Sequence, residues 1–190
     1  HAVRTALEMQ EAMVDFNRSL TERDLPNVLM RVGISTGPMV VGDAGPADAS
    51  DYTVLGDAVN LGARLESANK ATGTRILMTK RTTELLDGHF LIRPIAKLQV
   101  VGKQESEMTY EAMAFTDAAT DEQHREARLT QALVEAFVEA KFRLCLDRVQ
   151  ELDQLSGPDK FTDLYREQCE DHLANPPTDD FDGAIVLTTK

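Results

Sequence analysis

Asn60 and Arg64 stand four residues apart in the stretch Asp51-Tyr-Thr-Val-Leu-Gly-Asp-Ala-Val-Asn-Leu-Gly-Ala-Arg-Leu-Glu66, whose second half has helical spacing. On a helix the two share one face with Ser67, while Leu61, Leu65 and Ala68 make the opposite, buried face. One helix thereby holds an amide and a guanidinium side by side, aimed at one point. The guanidinium is planar, permanently charged and a donor only, which suits a centre that carries or develops negative charge. Taken alone, the pair reads as a solvated helix surface, as most such pairs are.

The other reactive side chains form no comparable arrangement. Cys145 and Cys169 lack C-x-x-C spacing and are too few for a disulfide framework, so a reducing compartment is expected. His1, His89, His124 and His172 are scattered without ligand spacing, and no protein-only zinc site is expected. Gly42 to Gly45 has neither a P-loop lysine nor G-x-G-x-x-G spacing and reads as a hairpin end. Asp179, Asp180 and Asp182 precede Gly183 without the spacing or distal Glu of a calcium loop, and read as a solvated turn.

The elements that must position Asn60 and Arg64 follow from periodicity. Residues 1–20 place Val3, Ala6, Leu7, Met13, Val14 and Leu20 on a helical stripe, ended near Pro26. Residues 28–35 alternate, with Met30, Val32 and Ile34 on one face, as a strand does. Gly37-Pro38 reads as a turn and Met39 to Val41 as the returning strand of a hairpin, with a loop from Asp43 to Ser50. A short extended piece follows at Asp51 to Leu55. Gly56-Asp57 then reads as a turn with an Asp cap, opening the Asn60 helix to about Ala71, where Gly73 stops it. Arg75 to Met78 is a strand candidate, Lys80 to Asp87 a short helix, and Phe90 to Val101 and Met108 to Phe115 a pair of strands around a polar turn. Short strands and hairpins mixed with helices predict an α+β sandwich.

Thr116 to Asp121 is polar and marks the expected boundary between residues 1–115 and an extension over 116–190. Within the extension, a stripe from Leu129 to Leu152 and a second from Phe161 to Leu173, separated by Gly157-Pro158, predict a helical hairpin like one tetratricopeptide unit. A short apolar end follows at Ile185 to Leu187. The formal charge of −12 is uneven, with 12 basic and 15 acidic residues before 116 and 8 and 17 after it. No clustered Lys and Arg stripe is left to neutralise a nucleic acid. No apolar run is long enough to span a bilayer and no signal peptide opens the chain, so a soluble piece is expected. The chain opens at His1, directly in a helical pattern, and the expectation is that upstream sequence has been cut away.

Arg31-Val-Gly-Ile-Ser-Thr-Gly-Pro-Met-Val-Val-Gly42, then Tyr52-Thr-Val-Leu-Gly-Asp-Ala-Val-Asn60 and Arg64-Leu-Glu, closely resembles the class III adenylate and guanylate cyclase catalytic domain. The resemblance covers about residues 1–115, including Gly102-Lys103 and Tyr110-Glu111. It implies a ferredoxin-like cyclase sandwich, truncated at its N-terminus, in which the 3′-hydroxyl of a nucleoside triphosphate attacks its own α-phosphate. By resemblance Arg64 stabilises the five-coordinate phosphorus, Asn60 orients the ribose and Thr53 reads the base edge, a position where Thr suits adenine without proving it.

The resemblance further implies a head-to-tail homodimer with ATP as substrate, and two Mg²⁺ or Mn²⁺ ions. The aspartates that would hold them, and a base-reading Lys, are expected upstream of His1. Many members have a Lys directly before the glycine of the Gly102-Lys103 turn to contact the triphosphate, whereas Val101 stands here. Lys103 is the substitute candidate, against the reading of a solvated turn lysine. A cytoplasmic catalytic domain follows, with any membrane anchor lying upstream. Guanylate cyclase, a degenerate cyclase-homology binding module without turnover, and an interaction fragment working through its tail are the competing readings.

Overall fold

The structure, a computed structural model, describes residues 1–45, 51–99, 106–178 and 180–187. Helix α1 (Ala2–Thr21) leads into strand β1 (Val32–Ile34), then β2 (Val40–Ala44) and β3 (Asp51–Leu55). Helix α2 (Asp57–Thr72), β4 (Ile76–Thr79), α3 (Lys80–Thr83), β5 (Phe90–Gln99) and β6 (Glu107–Phe115) follow. The chain then forms α4 (Asp121–Val138), α5 (Phe142–Ser156), α6 (Lys160–Ala174) and β7 (Ala184–Val186). Five strands make one mixed sheet in the order β1-β4-β6-β5-β7. β1 runs parallel to β4 and β7 parallel to β5, while β6 is antiparallel to both its neighbours.

Both faces of this sheet are covered, and β4 records it residue by residue. Ile76 and Met78 join Val3, Ala6 and Leu7 of α1 on one face. Leu77 turns to the other face, where Leu61 and Leu65 of α2 meet Leu133, Phe137, Val149, Phe161 and Tyr165 of α4 to α6. All four β4 residues are therefore buried, as expected of a strand sandwiched on both sides. The expected alternation in β1 holds where it forms a strand, with Val32 and Ile34 against the α1 cluster. In α1 the anticipated stripe is interrupted: Val3, Ala6 and Leu7 cover the sheet and Leu20 is buried near the far end, while Val14 is 61% exposed.

Four sequence expectations are corrected. β1 does not pair with β2: it pairs in parallel with β4, and β2 pairs with β3, Val40 facing Leu55 and Gly42 facing Thr53. The Gly37-Pro38 turn looks local, but β1 gains a buried partner only across the α2 crossover. Asp43 and Ala44 thus belong to a strand rather than a loop. Asp57 is not the cap of α2 but its first residue; Gly56 holds the cap position without a side-chain cap bond. Finally, the two-helix hairpin is three helices. α4 stops at Val138 and Ala140 takes φ of 55°, a left-handed turn made without glycine. That conformation costs an L-residue about 1–2 kcal/mol. It is offset by Phe142, which turns inward against Phe137 with ring centroids 5.8 Å apart.

The extension shares its core with the sheet. The Tyr165 hydroxyl, fully buried, donates to the Ile95 carbonyl of β5 at 2.7 Å. The apolar end of the chain becomes β7, with Ile185 2% exposed, and Lys97 of β5 pairs with Asp182 at 2.6 Å. Among the described residues no helix is long and apolar enough to cross a membrane.

Candidate active site

The site is built where β3 runs through Gly56 into α2. Asn60 lies in the first turns of α2 and Arg64 one turn on, so the two share a face. Asn60 is exposed and Arg64 half-buried, while Leu61, Leu65 and Ala68 face the core as expected. Thr53, half-buried, stands on β3 opposite Gly42. Among the described residues none of the three side chains has a hydrogen-bond or ion-pair partner. Most of the polar side chains further along α2 are engaged: Glu66 by Arg31 at 3.0 Å, Ser67 by the Ala63 carbonyl, Thr72 by the Ala68 carbonyl.

The foot of α2 is set by close backbone contacts. A Cβ on Gly33 of β1 would lie 2.0 Å from the Gly62 carbonyl oxygen and 2.4 Å from the Glu66 nitrogen, so only glycine lets helix and strand touch there. At the start of the helix, a Cβ on Gly37 would lie 2.9 Å from the Ala58 Cβ, and one on Gly56 would lie 3.0 Å from the Pro38 carbonyl. At its far end Gly73, with φ of 72°, closes α2 against Lys160 at the start of α6. α2 is thus wedged between β1 and the extension. Its uncapped start offers backbone donors and the positive end of the helix dipole to acceptor oxygens.

Sequence reasoning missed Asn69, which is 1% exposed on the buried side of α2. Its Nδ2 donates to the carbonyls of Val32 at 3.1 Å, Leu65 at 2.9 Å and Glu66 at 3.3 Å. Its Oδ1 accepts from the Thr74 hydroxyl at 2.8 Å. The signal was available, since an amide one turn beyond Leu65 falls on the apolar face.

Lys103, with the rest of residues 100–105, lies outside the described residues, as does Asp179. Among the described residues no group of three or more His, Cys, Asp and Glu side chains could hold a metal ion. The described residues therefore do not provide a ligand set for the two divalent ions that the resemblance implies.

Residues 1–113 match the family described as the adenylate and guanylate cyclase catalytic domain. Adenylate cyclase 1 of Rhizobium meliloti (strain 1021) is 33% identical over 118 residues, 62% of this chain and 18% of that protein. The chain thus spans a small part of that relative's length. Among solved structures, the adenylyl cyclase CyaB from P. aeruginosa has a TM-score of 0.53 at 27% identity, over 60% of this chain and 58% of that one. The guanylyl cyclase Cya2 has a TM-score of 0.51 at 27% identity, over 63% of this chain and 59% of that one. The family match ends within β6, before α4 begins.

Proposed function

Because this chain belongs to the family of adenylate and guanylate cyclase catalytic domains, we propose that it carries the transition-state half of an adenylate cyclase. In that reaction the ribose 3′-oxygen of ATP loses its proton and bonds to its own α-phosphorus, and the bond to pyrophosphate breaks. The products are 3′,5′-cyclic AMP and pyrophosphate. One observation carries the reading: Asn60 and Arg64 project together from a firmly seated helix, with no partner among the described residues.

Arg64 donates to the equatorial oxygens as charge builds on phosphorus, and being preorganised it needs no rearrangement to do so. Asn60 holds the ribose so that the attacking oxygen lies in line. Thr53, whose hydroxyl both donates and accepts, reads the base edge, and Lys103 is the candidate contact for the triphosphate. Divalent Mg²⁺ or Mn²⁺ would shield the triphosphate, held by carboxylates outside this chain. The reading keeps residues 1–115 as the catalytic part of a cytoplasmic domain and residues 116–190 as its helical extension.

A head-to-tail homodimer belongs to the same proposal. Its support is the β2–β3 hairpin, which leaves Val40 72%, Tyr52 75% and Leu55 59% exposed, a large apolar area for a monomer's surface. GTP is the second substrate reading, favoured by the likeness to the guanylyl cyclase Cya2.

The test is cyclic nucleotide production by the full-length protein with Mn²⁺, given ATP and GTP separately, beside Asn60→Ala and Arg64→Ala. Cyclic AMP from the wild type and losses of about a hundredfold or more in both variants are expected, the scale of removing a transition-state donor. Cyclic GMP alone would move the assignment to guanylate cyclase. A folded dimer that makes neither product would make the domain a binding module.

A further inference from the structure

Helix α2 offers Asn60 and Arg64 outward, and their placement depends on where that helix rests on β1. Two features fix it. Gly33 lets the turn from Gly62 to Glu66, the turn that bears Arg64, lie directly on the strand backbone. A glycine contact of this kind is slippery: it permits close approach but supplies no directional bond. The direction comes from Asn69. Its amide donates to the Val32 carbonyl of β1 and to the Leu65 and Glu66 carbonyls of α2, while its oxygen accepts from Thr74, just before β4. One buried side chain therefore ties α2 to β1 and to the approach of β4. A further polar link, from Arg31 just before β1 to Glu66 of α2, is half in solvent and correspondingly weak.

We propose that Asn69 is the positioning residue of this site, fixing the height and rotation of α2 on β1 and through it the aim of Asn60 and Arg64. β1 continues through Gly37 and Pro38 into the hairpin that bears Thr53, so the same joint sets Thr53 relative to Arg64. The proposal rests on the cyclase reading above. It differs from a purely structural role, which would lower stability and leave the turnover of folded molecules unchanged.

The test is steady-state kinetics of the full-length parent protein with Mn²⁺-ATP, well below its melting temperature, with rates scaled to the folded fraction. Asn69→Ala is expected to lower kcat about tenfold or more with KM changed less than about threefold, since small misplacements of a transition-state donor are costly. In an Arg64→Ala background the same substitution is expected to cost less than about threefold, because residues acting through one another are not additive. Equal losses in both backgrounds, or an unchanged kcat, overturn the proposal.

Thr74→Val, which removes the bond to the Asn69 oxygen and the bond to the Thr72 hydroxyl without opening a cavity, serves where Asn69→Ala folds poorly. It is expected to give a smaller loss with the same non-additivity, and an additive loss overturns the proposal. Failure of the cyclase reading looks different, with no cyclic nucleotide from the wild type or no effect of Arg64→Ala. Positioning is then judged by hydrogen exchange. Faster exchange across residues 57–66 in Thr74→Val, with β5 and β6 unchanged, supports it, and unaltered exchange in α2 overturns it.

Discussion

Arg93 on β5 serves two carboxylates at once. It donates to Glu111 of β6 at 2.8 and 2.9 Å and to Glu126 of α4 at 2.5 Å, and stacks over Phe161 of α6. Burial pushes the Glu126 carboxyl above its ordinary value of 4.5, and Arg93, already engaged by Glu111, only partly opposes this; Glu111 and Asp159 raise it further. An acid whose pKa is raised by folding holds its proton more tightly in the folded state. Its contribution is most favourable below pH 4.5 and declines as pH rises through the raised value. The stability of wild type minus that of Glu126→Gln, from urea melts, is therefore expected to fall between about pH 4.5 and neutrality. A flat difference would show that Arg93 fully compensates the carboxylate.

At the scale of elements, the β2–β3 hairpin carries apolar side chains on both faces. Its register puts Val40 and Leu55 on one side with Thr53, and Val41, Tyr52 and Val54 on the other. If this hairpin is the arm of the proposed dimer, Val40→Lys with Leu55→Lys is expected to raise the dimer dissociation constant at least tenfold. Sedimentation would read the constant, and the protomer's secondary structure should remain unchanged, since these residues contribute little to the core. Unaltered association would place the interface elsewhere.

What the sequence made legible sorts by range. The α2 face, with its Leu61, Leu65 and Ala68 stripe, needs only a period of 3.6 and was readable, as were β4, β5 and β6 within a residue or two. The partner of β1 was not, because Val32 meets Ile76 across a helix and no local signal encodes that choice. The break at Ala140 was hidden as well. Sequence reading looks for Gly or Pro at a stop, whereas the Phe137, Phe142 and Phe181 cluster imposes this one. At the site, the shared face of Asn60 and Arg64 was legible from their spacing, while their proposed roles come from the family likeness. Asn69 showed only as an amide on the apolar face; its tie to Val32, 37 residues away, has no local signal.

For the whole molecule, the sheet and the extension share one core, which predicts that they unfold together. Leu98 of β5 and Ile185 of β7 face each other in register, and both lie in the core shared with α4 to α6. Ile185→Ala is accordingly expected to cost about 2–5 kcal/mol, the range for a fully buried aliphatic side chain. A single melting transition should persist in that variant. Two transitions, with only the later one shifted, would mean that the extension unfolds by itself.

The parallel pairing of β5 with β7 also orders events during synthesis. Lys97 and its partner Asp182 lie 85 positions apart in the chain. When β5 leaves the ribosome, the strand meant for its outer edge has not yet been translated. Until it is, that edge presents unpaired backbone groups to neighbouring nascent chains, a template for intermolecular pairing. Slowing translation between residues 100 and 184 should therefore lengthen this exposure and lower the soluble yield.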